Sequence, residues 1–308
     1  MSTNIRSYPV MSQAQTFPRF LRLSEPAEAA VARRDSTIAT YYHAVERVIA
    51  AMHQRLEEPL TLPDMAEIAL LSPYHFNRIF RYITGIPPLK FQAALRLQAA
   101  KRLLVTTDLS VTEICFAVGY NSLASFTRNF TELVGLSPRQ LRCLADELHV
   151  DDLQSLDVST DLSDEQPSAC AGWTLRGAVT TVVPFSGLIM IGLFAAPIPE
   201  SLPVGCAVLS EPGSFQIHDV PGGEYYLLAA AFDRSEQGLA GLLQDTPTLV
   251  GMAHTAIEVP ASGPVVDADV LLRPVHPTDP PILVALPFLL NERIKTCIVD
   301  DDELDRLS

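Results

Sequence analysis

From Ser36 to Leu144 apolar residues recur at spacings of three and four, as in Val45, Val48, Ile49 and Met52. The run is cut at Glu58-Pro59, Ser72-Pro73, Gly85 with Pro87-Pro88, Thr107-Asp108, Gly119 and Ser137-Pro138. A period near 3.6 admits helices that bury one face, and breakers this frequent keep the helices short. From Trp173 the period changes. Short β-branched runs alternate with Gly/Pro turns, which predicts strands at Trp173–Val183, Leu188–Ala195, Cys206–Ser210, Ser214–His218, Tyr225–Phe232, Thr248–Val259 and Asp267–Leu272, with Ile282–Leu286 as an eighth candidate. The expected architecture is therefore multi-domain, α then β: an all-α domain followed by an antiparallel β-sandwich. The expected parts are an N-terminal arm (1–35, with a short helix near Ala27–Arg33), a helical domain (36–148), an acidic Ser/Thr-rich linker (149–172), a β domain (173–291) and a polar tail (292–308). A length of 308 residues suits two cores better than one.

Net charge is −14, which taken alone argues against a nucleic-acid partner. The distribution reverses that reading. Residues 1–40 carry a net +2, residues 41–143 a net +3 with 11 basic and 8 acidic side chains, and residues 144–308 a net −19. Only the part that meets phosphate needs a favourable charge. The five cysteines, Cys115, Cys143, Cys170, Cys206 and Cys297, never pair as CxxC, which suits a reducing compartment. The opening MSTNIRSYPV lacks a charged segment followed by an apolar run, and no stretch is clean enough to span a bilayer. A cytoplasmic protein without a membrane partner is expected.

Two segments inside the helical region form a weak duplication. In the first, a short helix (Leu62–Ala69) leads through a tight turn to a second helix capped by Ser72, with Pro73 at its first position. Phe76, Ile79, Phe80 and Ile83 form its apolar stripe, and Tyr74, Asn77, Arg78 and Arg81 point the other way. In the second, a helix (Val111–Val118) ends at Gly119, and Asn121 or Ser122 caps the next. There Phe126, Phe130 and Leu133 face inward, and Leu123, Ala124, Ser125, Thr127 and Arg128 outward. A helix from Pro88 to about Val105, roughly 27 Å long, joins the two units. Helices held by their apolar sides at that separation suit successive major grooves, about 34 Å apart.

Residue by residue the segment resembles the AraC/XylS type of transcription regulator. The resemblance rests on Leu62, Ala69, Ser72, Phe76-x-Arg78-x-Phe80, Gly85, Pro88, Phe91, Arg96, Ala100, Leu103-Leu104, Ile114, Gly119-Tyr120, Ser122, Phe126, Arg128, Phe130, Gly135, Ser137-Pro138 and Arg142. It covers about a third of the chain. It implies a seven-helix double helix-turn-helix domain with recognition helices near Pro73–Ile83 and Leu123–Thr131. It also implies base contacts from Tyr74, Asn77 and Arg78, and from Leu123, Ala124, Ser125, Thr127 and Arg128. Arg81 joins these candidates; Ser72, Arg96, Ser122 and Arg139 are candidates for phosphate contact, and Arg96, Lys101 and Arg102 on the linking helix are expected to be structural or backbone-positioning rather than specific. Cys115 and Leu141 depart from the family pattern at core positions. Arg128 has an alternative partner in Glu132, one turn on. Leu123 and Ala124 leave the second unit poorer in hydrogen-bonding groups, so stricter base reading is expected of the first.

The segment FQIHDVPGGEYYLLAAAFD resembles carboxypeptidase-regulatory-like (prealbumin-like) β-sandwich modules at Phe215, Ile217, Val220-Pro221, Gly223, Tyr225, Leu227 and Ala229. Gly222-Gly223 are expected to make a tight turn there. Such a resemblance gives a fold and no ligand. His254 and Glu258, four apart on an expected strand, are poorly placed for a shared metal, and no catalytic residue, metal site or cofactor motif can be defended. The expected function is a sequence-specific DNA-binding transcription regulator. Double-stranded DNA is its partner, RNA polymerase a further candidate, and an unknown effector or protein acts at the β-sandwich. A protein-interaction adaptor with a degenerate DNA-binding domain is the alternative. The acidic part could repel DNA or cover the basic face.

Overall fold

The computed structural model describes residues 27–147, 173–233, 235, 246–253, 255–259 and 265–285. The linker expected at 149–172, the tail at 292–308 and His254 lie outside them. Seven helices come first: α1 (Ala27–Gln54), α2 (Leu62–Ala69), α3 (Pro73–Thr84), α4 (Pro88–Thr106), α5 (Val111–Ala117), α6 (Leu123–Val134) and α7 (Pro138–Glu147). The expected arm boundary at residue 35 falls inside α1, which continues without a break from Ala27. The other helices begin within a residue of their expected starts.

The helical region is built twice at an offset of about fifty residues. Thr61 and Ser110 open α2 and α5 with reciprocal caps. Asp64 N–H donates to Thr61 Oγ1 while Thr61 N–H donates to Asp64 Oδ2 at 2.9 Å; Glu113 and Ser110 repeat the exchange. The capping hydroxyls also donate to these carboxylates and hold both below the ordinary carboxylate pKa. Phe76 and Phe80 on α3 match Phe126 and Phe130 on α6, and all four are fully buried. Gly85 and Gly135 end the two helices at φ +80° and +88°.

One turn breaks the symmetry. In the second unit the left-handed position between the helices is Gly119, at φ +78°. In the first unit Leu70 takes that conformation, at φ 59°, with its side chain 83% exposed. A leucine there carries left-handed strain with no burial to offset it. Leu70→Gly is therefore expected to stabilise the protein by about 0.5–1 kcal/mol, after the entropy cost of glycine is subtracted. A small upward move of the urea midpoint at unchanged slope would show it.

Nine strands follow: β1 (Trp173–Thr181), β2 (Gly187–Phe194), β3 (Gly205–Leu209), β4 (Ser214–Val220), β5 (Gly223–Asp233), β6 (Leu249–Met252), β7 (Ile257–Val259), β8 (Val265–Asp267) and β9 (Val270–Pro274). Thr248–Val259 and Asp267–Leu272, each expected as one strand, are each two. The hydrogen-bonded order is β3-β2-β5-β6-β9-β1-β4, with β7 on β5 and β8 on β1. The arrangement is not purely antiparallel as expected: β1 pairs in parallel with both β8 and β9. The chain passes from one to the other beside the middle of β1. There Ala268 N–H donates to Arg176 O, and Ala178 N–H donates to Asp269 Oδ1 at 2.8 Å. The two ends of the order approach each other. Ile217 on β4 sits 2.4 Å from where a Cβ of Gly205 on β3 would stand, so only glycine admits this contact. The sheet is thus barrel-like.

The expected turn at Gly222-Gly223 does not make a hairpin. β4 pairs with β1, and β5 with β2, β6 and β7, so the turn carries the chain across the core. The alternation itself holds: Phe215, Ile217, Val220, Tyr225, Leu227 and Ala229 all enter one core. β2 is buried on both faces. Ile189, Ile191 and Leu193 face that core. Leu188, Met190 and Phe194 join Ala230, Phe232, Ile282 and Val284 in a second layer.

Residues 282–285, a candidate strand by sequence, form an irregular strap instead. Ile198, Leu283 and Ala285 belong to the helical core, so the β module contributes side chains to it. Lys101 on α4 is 2% exposed and donates to Val284 O at 3.0 Å and to Ile282 O at 3.4 Å. Lys90, also on α4, pairs with Glu200 at 2.6 Å. At the end of α6, carbonyls that a helix leaves without internal donors receive them from the β module. Ser201 N–H donates to Leu133 O, Ser201 Oγ to Glu132 O and Ala285 N–H to Val134 O.

Candidate nucleic-acid interface

The recognition helices owe their orientation to their phenylalanines. With Phe76, Phe80 and Thr84 buried on α3, the positions between them must face out: Tyr74, Arg78 and Arg81 are exposed and Asn77 is half-buried. Tyr74 is 75% exposed, and the Arg78 guanidinium lies over its ring at 5.8 Å from the centroid. His75, between them, turns back to Tyr41, with its Nε2 3.1 Å from the phenol oxygen, and so fixes the start of α3. On α6, burial of Phe126, Phe130 and Val134 leaves Leu123, Ala124, Ser125 and Arg128 exposed and Thr127 half-buried. The fifty-residue offset sets Arg78 against Arg128, Asn77 against Thr127 and Tyr74 against Ala124. Among the described residues none of Arg78, Arg81 and Arg128 has a carboxylate partner, so Glu132 does not take up Arg128.

A helix-turn-helix family model, HTH_18, matches residues 65–143, the span that carries both units. Residues 65–143 form an AraC-type helix-turn-helix domain. An uncharacterized HTH-type transcriptional regulator of Bacillus subtilis, YobQ, is 39% identical over 94 residues, which are 30% of this chain and 39% of that protein. The HTH-type transcriptional regulator GlxA of Rhizobium meliloti is 34% identical over 120 residues, 39% of this chain and 37% of that one. The chain thus spans about two fifths of the length of these relatives. A solved AraC-type transcriptional regulator from Chromobacterium violaceum is 27% identical, covering 36% of this chain and 99% of that one, with a TM-score of 0.34.

Within the AraC-type domain the four phosphate candidates divide. Ser72 occupies the N-cap position of α3, but its side chain makes no cap hydrogen bond, so its hydroxyl stays available at an exposed helix start. Ser122, and not Asn121, caps α6, accepting from Ser125 N–H at 3.4 Å. Arg139 is exposed at the start of α7. Arg96 takes the structural one of its two expected roles. Its Nε donates to Val118 O, its guanidinium lies 4.4 Å above the Tyr120 ring, and burial pulls its pKa below the usual arginine value. It fastens α4 to the turn between α5 and α6 and belongs to the scaffold. Arg142 does the same for α7, donating to Leu104 O and Leu109 O.

The sequence did not single out the contacts that join the β module to the AraC-type domain. The acidic module was expected to be able to cover the basic face. Its described contacts fall elsewhere: Ser201 and Ala285 reach the last turn of α6, and Pro197 lies beside Gly85 at the end of α3. None of the described residues of the module covers the outward residues at the helix starts.

Proposed function

We propose that the chain is a sequence-specific DNA-binding transcription regulator, in which α3 and α6 enter successive major grooves and the β module modulates the outcome. The observation that carries this reading is the matched presentation of Tyr74-Asn77-Arg78 and Ala124-Thr127-Arg128 on two helices, each pinned by its own pair of buried phenylalanines. Arg78 and Asn77 supply the donor and acceptor groups that distinguish guanine and adenine edges. Leu123 and Ala124 offer apolar contact to thymine methyls, with Ser125 and Thr127 beside them. Ser72, Ser122, Arg139 and the backbone N–H groups at the helix starts hold phosphates. Double-stranded DNA is the primary partner; RNA polymerase and an effector at the β module complete the proposal, in a cytoplasmic setting.

A salt titration tests it. Binding to duplex DNA should weaken linearly on a log–log plot, with a slope near −0.9 per phosphate neutralised. An adaptor would show no salt-dependent affinity for duplex. Arg78 and Arg128, exposed and without a carboxylate partner among the described residues, speak against that alternative.

A further inference from the structure

On the second face of β2 and β5 lies a cavity of about 90 Å³. Its walls are almost wholly apolar: Met190, Phe194, Val208, Ala230 and Met252 line it, and Pro199 and Ile282 close one side. An apolar cavity on the order of 150 Å³ encloses benzene whole; this one is smaller and open to solvent on one side, so it takes a single ring only in part, with the rest at the mouth. Arg273 and Asp279 stand at its edge and bind each other by two hydrogen bonds, of 2.9 and 2.6 Å. Because that pair is already neutral as a unit, the site asks for no charge. Asp279 Oδ2 also accepts from His276 N–H, so the pair can take a hydrogen bond from a hydroxyl only through the remaining lone pair of Oδ1.

The closing wall is the part of the module that holds the helices. Pro199 O accepts from Leu283 N–H at 2.8 Å and from Val284 N–H at 2.9 Å, which fuses the two lining segments. The residues that follow Pro199 are Glu200 and Ser201, which grip Lys90 and the last turn of α6. Ile282 itself and Val284 supply the carbonyls for Lys101, and Ala285 supplies the N–H for Val134 O. A molecule pressing on Pro199 and Ile282 therefore bears on α4 through the Lys90–Glu200 ion pair and Lys101, and on α6 through the hydrogen bonds from Ser201 and Ala285.

We infer that this cavity binds a small, uncharged, single-ring molecule of phenol type, and that its occupancy is transmitted to α6 through the Pro199–Ser201 and Ile282–Ala285 segments. The transmission half rests on the DNA-binding reading; the binding half does not. The probe is p-cresol, with 4-methylbenzoate as its charged counterpart, on the full chain. At about tenfold its Kd, p-cresol should raise the melting temperature by about 3 °C, and 4-methylbenzoate should bind at least tenfold more weakly. Val208→Phe, placed on β3 opposite Met190, fills the cavity and should abolish the shift; Ala230→Leu serves if that variant fails to fold. DNA affinity with and without p-cresol should differ severalfold in the parent and not in the filled variant. No shift, an equal shift in the filled variants, or tighter binding of 4-methylbenzoate overturns the site. A shift that leaves DNA affinity unchanged overturns the transmission while leaving the DNA-binding reading intact.

Discussion

Alanine in place of Gly119 is expected to destabilise the protein by about 3 kcal/mol, as left-handed strain and a backbone overlap add together. The residue sits at φ +78°. A Cβ there would stand 2.5 Å from Leu56 O and 2.6 Å from Glu57 O, both backbone atoms that no rotamer change can move. The Arg96 guanidinium, already held by Val118 O and Tyr120, lies 3.0 Å away and could not yield freely. The urea midpoint should fall by roughly 1–2 M at an unchanged slope. Gly213→Ala is the control, because a Cβ there meets nothing nearer than 3.9 Å. A Gly119→Ala midpoint equal to that control would mean that the turn between α5 and α6 is not built as described.

The second large effect concerns DNA. Arg78→Ala should weaken binding to a specific site by about 1–3 kcal/mol, or 5- to 150-fold, and flatten the preference at the bases it reads. Arg78 is exposed, and its substitution removes no buried contact, so thermal stability should barely move. Arg128→Ala, at the equivalent position of the second unit, should cost less discrimination. Its neighbours Leu123 and Ala124 contribute apolar contact and no hydrogen bonds. Gel-shift titrations against a specific and a scrambled duplex separate the cases. An equal loss on both sequences would make Arg78 a phosphate contact.

The helical half was legible because its signals are local. Thr61-x-x-Asp64, Ser110-x-x-Glu113 and the glycines at 85, 119 and 135 fix where helices start and stop. The paired phenylalanines fix which side of each recognition helix is hidden, and hence which residues face out. For Arg96 the sequence leaves a structural role and a phosphate contact both open, because an arginine on a half-buried helix face carries no mark of which way it points; Tyr120, twenty-four residues on, favours the structural role. The strands were legible and their pairing was not. The parallel partners of β1 come from the far end of the module, about ninety residues later, and alternation is blind to partner choice. The junction with the helices was the least legible of all. Its acceptors are backbone carbonyls, of Leu133, Ile282 and Val284 among others, which any residue would supply.

Stapling α6 and α4 to one acidic body has a consequence for the operator. Two reading heads on a flexible hinge could tolerate variable spacers by swivelling; heads bolted to a common frame cannot. On the proposed DNA-binding reading, a permitted promoter is therefore expected to offer its two half-sites at a single pitch. Five extra base pairs, about half a helical repeat, would carry one of them to the far side of the duplex, out of reach of a frame that does not bend.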